Sequence, residues 1–167
     1  MLTRLVPFLL CCFWLVLPVL AIDGLFGASL PEAFQPAIFW ADIPAALALA
    51  ENGLRAAVIG LTVILPLPVG RWRGKEPGFV VYAVGLAAYA LSWLALIAWP
   101  QSAWSLGAAG FTAPAWTPLL WLAGIGLVAD GPLLDRLALL RPLYWLVVPG
   151  FVATHLGHAL LVWSRLG

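Results

Sequence analysis

Five mostly apolar runs, separated by short breaks of charge or proline, fill most of the chain. Each is close to the roughly 20 residues a helix needs to cross hydrocarbon. The runs cover residues 5–22, 50–69, 79–99, 111–129 and 143–163. Arg4 and Asp23 flank the first, and Arg71, Arg73 and Lys75 close the second. Pro77 and Pro100 bracket the third, Asp130-Gly131-Pro132 ends the fourth, and Arg165 follows the fifth. The pattern predicts an all-α, polytopic transmembrane helix bundle with five spans, forming a single integral membrane domain over residues 1–167. Gly60, Gly85, Gly124, Gly126 and Gly157 lie inside the runs and would let helix backbones approach closely.

Residues 23–49 form an outer interfacial segment rather than a polar linker, since Leu25, Phe26, Leu30, Phe34, Ile38, Phe39 and Trp40 are spread through it. Ser29-Leu30-Pro31-Glu32 has the form of a helix start, with a Ser cap and then Pro and Glu in the first turn. It predicts a short interfacial helix over residues 31–40. Asp42-Ile43-Pro44 is a second start, so the second helix is expected over residues 43–69, with Pro66 and Pro68 distorting its inner end. Residues 133–140 alternate Asp135-Arg136 with leucines and predict a short amphipathic helix on the inner leaflet.

The first run also resembles a signal peptide, with Val19-Leu20-Ala21 as a cleavage site; cleavage would leave four spans. Its length and the bulky Trp14 favour a retained span, because secretory apolar cores run about 7–15 residues.

Composition limits the function. Eight Lys+Arg and seven Asp+Glu in 167 residues, with a mean hydropathy of +1.05, cannot cover a soluble surface. A soluble enzyme, a nucleic-acid binder and a disordered chain are excluded. Cys11 and Cys12 are adjacent and read as small apolar residues. The basic residues set the orientation. Placing Arg71, Arg73 and Lys75 in the cytoplasm puts Arg4, Arg136 and Arg141 there too, leaving Arg165 outside and Arg55 within a span. The expectation is a multi-pass protein of the bacterial inner membrane, N-terminus cytoplasmic and C-terminus outside. Most of the ten tryptophans then fall near the two interfaces, as an aromatic belt.

Two polar constellations stand out. Glu51, Asn52 and Arg55 lie near the outer end of the second helix, with Glu51 and Arg55 four apart in the favourable acid-then-base order. Thr154, His155 and His158 share a face of the fifth helix, and these two histidines are the only ones in the chain. Both groups fall at a similar depth in the outer leaflet half, so neighbouring second and fifth helices would place all six residues in one outward-facing polar pocket. Ionisable residues at this depth face a bundle interior or a cavity. The bland alternative is a buried hydrogen-bond network tying two helices together, with Arg55 snorkelling outward.

A metal on His155, His158 and Glu51 is a further alternative, without the H-E-x-x-H motif that would strengthen it. Haem could take only one axial ligand from two histidines on one helix face. Catalytic signatures such as G-x-S-x-G and the P-loop are absent. In size, span count and tryptophan content the chain is similar to the tryptophan-rich sensory protein family. That family opens its first loop with a basic, proline-rich aromatic motif, whereas residues 23–49 here are acidic and apolar. Its porphyrin and sterol binding are therefore not carried over. The leading expectation is a non-enzymatic accessory subunit or small-ligand binder without a resident cofactor. The alternatives are a small-solute or ion transporter component and a metal- or haem-binding oxidoreductase component. Expected partners are the lipid bilayer and either another membrane protein or a second copy of the chain.

Overall fold

The computed structural model describes residues 10–68, 70, 72–130 and 139–166. Among these the regular structure is helical, apart from one isolated bridge between Cys11 and Pro66. Helix α1 (Leu17–Phe26) is flanked by 3₁₀ turns at Cys12–Leu15 and Gly27–Ser29. Then come α2 (Pro36–Phe39), α3 (Ala45–Ile64) and α4 (Glu76–Ala98). Four shorter helices follow: α5 (Ala103–Leu106), α6 (Ala108–Phe111), α7 (Ala113–Trp116) and α8 (Pro118–Val128). Helix α9 (Leu140–Ser164) is the last. Four stretches are long and apolar enough to cross a membrane: Cys12–Ser29, Ala45–Ile64, Glu76–Ala98 and Leu140–Ser164. A fifth apolar stretch, Ala113–Val128, is shorter. The chain is a membrane-embedded helical bundle.

Prolines account for most departures from the expected boundaries. The first helical stretch lies at Cys12–Ser29 rather than residues 5–22, of which 5–9 lie outside the described residues. Pro18 is tolerated because it occupies the first turn of α1, where an N–H has no intrahelical partner. Asp23 does not end this helix, because its side chain accepts a hydrogen bond from Tyr89. Helix α3 ends at Ile64 instead of continuing to residue 69. Pro66 pushes Leu65 into an extended conformation (φ −75°, ψ 120°), as a following proline does. The freed carbonyls find other partners: Cys12 N–H donates to Leu65 O at 2.8 Å, and Asp130 N–H donates to Pro66 O at 3.0 Å. The expected interfacial helix over residues 31–40 is broken for the same reason. Pro36 holds Gln35 extended between a 3₁₀ turn (Glu32–Phe34) and α2. Ser29 belongs to the preceding turn and does not cap, and Pro31 occupies that position. Pro114 and Pro118 divide the expected fourth span, and the Thr112 and Thr117 hydroxyls donate back to the Ala108 and Ala113 carbonyls. Arg4, Arg71, Asp135, Arg136 and most of the expected inner amphipathic helix lie outside the described residues.

Helices α4 and α8 make the closest packed pair, and two glycines allow it. A Cβ on Gly85 would lie 2.3 Å from the Trp121 amide nitrogen, and one on Gly124 would lie 2.4 Å from that of Tyr82. Lipid supplies no hydrophobic drive between helices, so close backbone contact of this kind carries the association. Gly126 is also tight, against the Tyr144 and Trp145 rings, whereas a Cβ added at Gly60 or Gly157 would meet nothing within 4 Å. At one end of this pair Lys75 Nζ donates to Ala129 O at 2.9 Å, placing a cation at the C-terminus of α8. Gly124→Leu is expected to lower stability by at least about 1–3 kcal/mol, because the backbones must separate. Gly60→Ala should be neutral or stabilising by up to about 1 kcal/mol. Thermal or denaturant unfolding in detergent measures both.

Candidate functional site

Helices α3 and α9 pack side by side, and a carboxylate lies between them. Glu51 and His158 are both fully buried. Glu51 Oε1 accepts from the Arg55 guanidinium one turn along α3 and sits 2.9 Å from His155 Nδ1. Glu51 Oε2 sits 2.6 Å from His158 Nδ1. The other ring nitrogen of His158, Nε2, lies 2.8 Å from the backbone oxygen of Phe39.

Hydrogen-bond valence fixes a proton in this cluster. A carbonyl oxygen can only accept, so His158 Nε2 carries a hydrogen. The 2.6 Å contact on the opposite side of the ring then needs one more. Either Glu51 is a carboxylic acid donating to a neutral imidazole, or it is a carboxylate accepting from an imidazolium. The Glu51–His158 pair holds one shared proton in both cases and is neutral overall. Charge-assisted bonds of this type are the strong ones, and removing one partner of a buried set is costly.

The segment between α1 and α3 covers the cluster. The rings of Phe39 and Trp40 lie 4.3 and 4.5 Å from the His158 ring, centroid to centroid. Phe151 stacks on His155 at 5.6 Å, and the Arg55 guanidinium lies over the Trp40 and Phe151 rings at 5.9 and 5.8 Å. Two bonds from Arg165 to the Ala41 and Asp42 carbonyls, both 2.7 Å, fix the covering segment to the end of α9. Asp42 takes a left-handed conformation there (φ 53°), which Asp tolerates better than most residues.

Beside the cluster lies a cavity of about 550 Å³, bounded by α1, α3, α4, α8, α9 and the covering segment. Arg55 and His155 reach it from one side, and Asp23 and Tyr89 from α1 and α4. The Tyr89 hydroxyl donates to Asp23 Oδ1 at 2.5 Å. Two further wall residues, Trp93 and Trp121, are only 8% and 6% exposed, and their indole N–H groups have no hydrogen-bond partner. Trp93 lies next to Tyr89, 5.8 Å between rings. Buried donors without partners are rare in native proteins and call for an explanation.

Of the six residues expected at the site, the structure brings Glu51, Arg55, His155 and His158 into one network. It does not bring in the other two. Asn52 is exposed and donates to Ala48 O of its own helix, one position off the buried face. Thr154 bonds back to the Gly150 and Phe151 carbonyls. The alternative of a metal on Glu51, His155 and His158 is not supported by this arrangement. Each imidazole Nδ1 takes a different oxygen of one carboxylate, and among the described residues no group of three or more ligating side chains is placed to hold an ion. Asp23, Tyr89, Trp93, Trp121 and the Phe39 carbonyl were missed. Asp23 read as the end of a span and the tryptophans as an interfacial belt; a carbonyl leaves no trace in a sequence. No family model matches the chain, and searches of curated proteins and of solved structures return no similar protein.

Glu51→Ala is expected to destabilise the protein by about 3 kcal/mol, because it leaves Arg55 and two imidazoles without their acceptor. Asn52→Ala, on the exposed face, should cost under about 0.5 kcal/mol. Equilibrium unfolding of the two variants side by side measures the contrast.

Proposed function

We propose that this protein is a non-enzymatic membrane protein that binds a small organic molecule in the cavity beside Glu51, Arg55, His155 and His158. The observation that carries the reading is the pairing of this cavity with a charge cluster at its wall. Its volume of about 550 Å³ falls within the roughly 300–1,000 Å³ of small-molecule sites. Its walls are aromatic and aliphatic, with few polar groups, as such sites require. A network serving only to join α3 and α9 has no need of an adjoining cavity of this size.

The same reading takes the protein as five spans, with the broken Ala113–Val128 stretch as the fourth. It places the N-terminus in the cytoplasm of a bacterial cell and the site in the outer half of the inner membrane. Supporting this are the basic residues of the sequence, most of which then fall on the cytoplasmic side. Shortness is no obstacle for Ala113–Val128, because α5 and α6 extend the chain at its N-terminal end.

Two measurements test the proposal. Protein purified in mild detergent should carry a small organic molecule at near one per chain, detected by mass spectrometry of the extract. Ile59→Trp, which places an indole in the cavity from the α3 wall, should remove it while the protein stays folded. A wild-type preparation without such a molecule, and with no small molecule able to bind, would overturn the reading. For topology, alkaline phosphatase fused after Gly74 should be inactive, and fused after Gln101 it should be active. The reverse result would invert the assigned orientation.

A further inference from the structure

We propose that the cavity opens sideways into the bilayer between α1 and α3, and that its occupant is a lipid-dissolved amphiphile with an apolar body and an oxygen-bearing head held by Arg55. The proposal rests on the reading of the cavity as a ligand site. It adds the route of entry and the class of molecule that this route admits.

The walls of the cavity are unequally sealed. Those from α4, α8 and α9 include Tyr89, Trp93, Trp121, Phe151 and Ala159, all buried. On the side of α1 and α3, wall residues also reach the outer surface. Leu20 is 42% exposed, the Arg55 side chain is 38% exposed, and Ile59 is half-buried. Pro36 of the covering segment is exposed as well. Among the described residues α1 packs on α4 but makes at most marginal contact with α3, although both helices line the cavity. The bond from Tyr89 to Asp23 holds α1 on the α4 side, as does that from the Tyr82 hydroxyl to the Leu15 carbonyl at 2.9 Å. Leu20, Arg55 and Ile59 lie within apolar stretches long enough to cross a membrane, so the opening between them faces hydrocarbon rather than water. A molecule dissolved in lipid reaches such an opening by lateral diffusion.

Arg55 defines the head of the occupant. Its guanidinium only donates, one of its nitrogens bonds Glu51, and its side chain is part of both the cavity wall and the outer surface. Donors in hydrocarbon are costly to leave without acceptors, so an oxygen brought in from the lipid is favoured there. The rest of the wall is mostly aliphatic and aromatic, and about 550 Å³ takes an apolar body of the size of other small-molecule ligands.

The test is photolabelling of full-length protein in phosphatidylcholine nanodiscs, with insertion sites mapped by mass spectrometry. The probes are dodecanol carrying a diazirine, the matching dodecane diazirine, and a short water-soluble diazirine alcohol. The dodecanol probe should label Val19, Val58 and Phe151 of the cavity wall, alongside the lipid-facing Val80 and Leu146. Leu20→Trp, at the rim of the opening, should cut labelling of the cavity wall severalfold and leave Val80 and Leu146 unchanged. Leu20→Phe serves the same purpose if the Trp variant does not fold. The dodecane probe should label the cavity wall severalfold less than dodecanol does, and Arg55→Met should abolish that preference. Equal cavity labelling by alcohol and alkane in the wild type would overturn the oxygen head, and an unchanged preference in folded Arg55→Met would overturn its assignment to Arg55. Cavity labelling by the water-soluble probe alone, or labelling insensitive to both Leu20 variants, would overturn the lateral opening and leave the ligand site standing. No cavity labelling by any probe would overturn the opening, and with no co-purified molecule it would overturn the ligand site too.

Discussion

A buried carboxylate determines much of this molecule. In hydrocarbon Glu51 cannot stand without partners, and every nearby element is arranged to supply one. Arg55 comes from its own helix, His155 and His158 from α9, and the Phe39 carbonyl secures the far side of His158. The cluster therefore sets the contact face and rotational register of α3 against α9. It also anchors the covering segment, since His158 bonds the backbone of α2 and packs against Phe39 and Trp40.

The bundle is joined in two physically different ways. Helices α4 and α8 meet through glycine, with backbones close enough that no side chain could stand between them. Helices α3 and α9 meet through ionisable groups. The first contact is steric and does not respond to protonation. The second depends on where one proton resides. The cavity lies where the two pairs face each other, with α1 alongside and Asp23 extending from it. A rigid wall therefore opposes one whose charge distribution can change.

Much of this was legible in the sequence. The apolar runs anticipated the long helices, and the pairing expected between Glu51-Arg55 and His155-His158 anticipated the contact of α3 with α9. Helix ends were less legible. Pro66 was visible but read as a distortion of a helix's inner end, whereas it stops the helix by forcing Leu65 extended, and Pro36 likewise holds Gln35 extended inside the segment expected to be one interfacial helix. Asn52 shows the limit of sequence proximity, since one residue of helical rotation turns it away from Glu51. The indoles of Trp93 and Trp121 show another limit. Tryptophan is frequent in membrane chains, and only coordinates separate a ring at the headgroups from one with an orphaned N–H inside.

The Phe39 carbonyl gives the cluster a direction. Hydrogen bonds link His155 to Glu51 and Glu51 to His158, but the peptide carbonyl at the far end can only accept a hydrogen bond and cannot pass a proton on. The chain of hydrogen bonds is therefore closed at the Phe39 end, and a proton held in it could leave only from the His155 side.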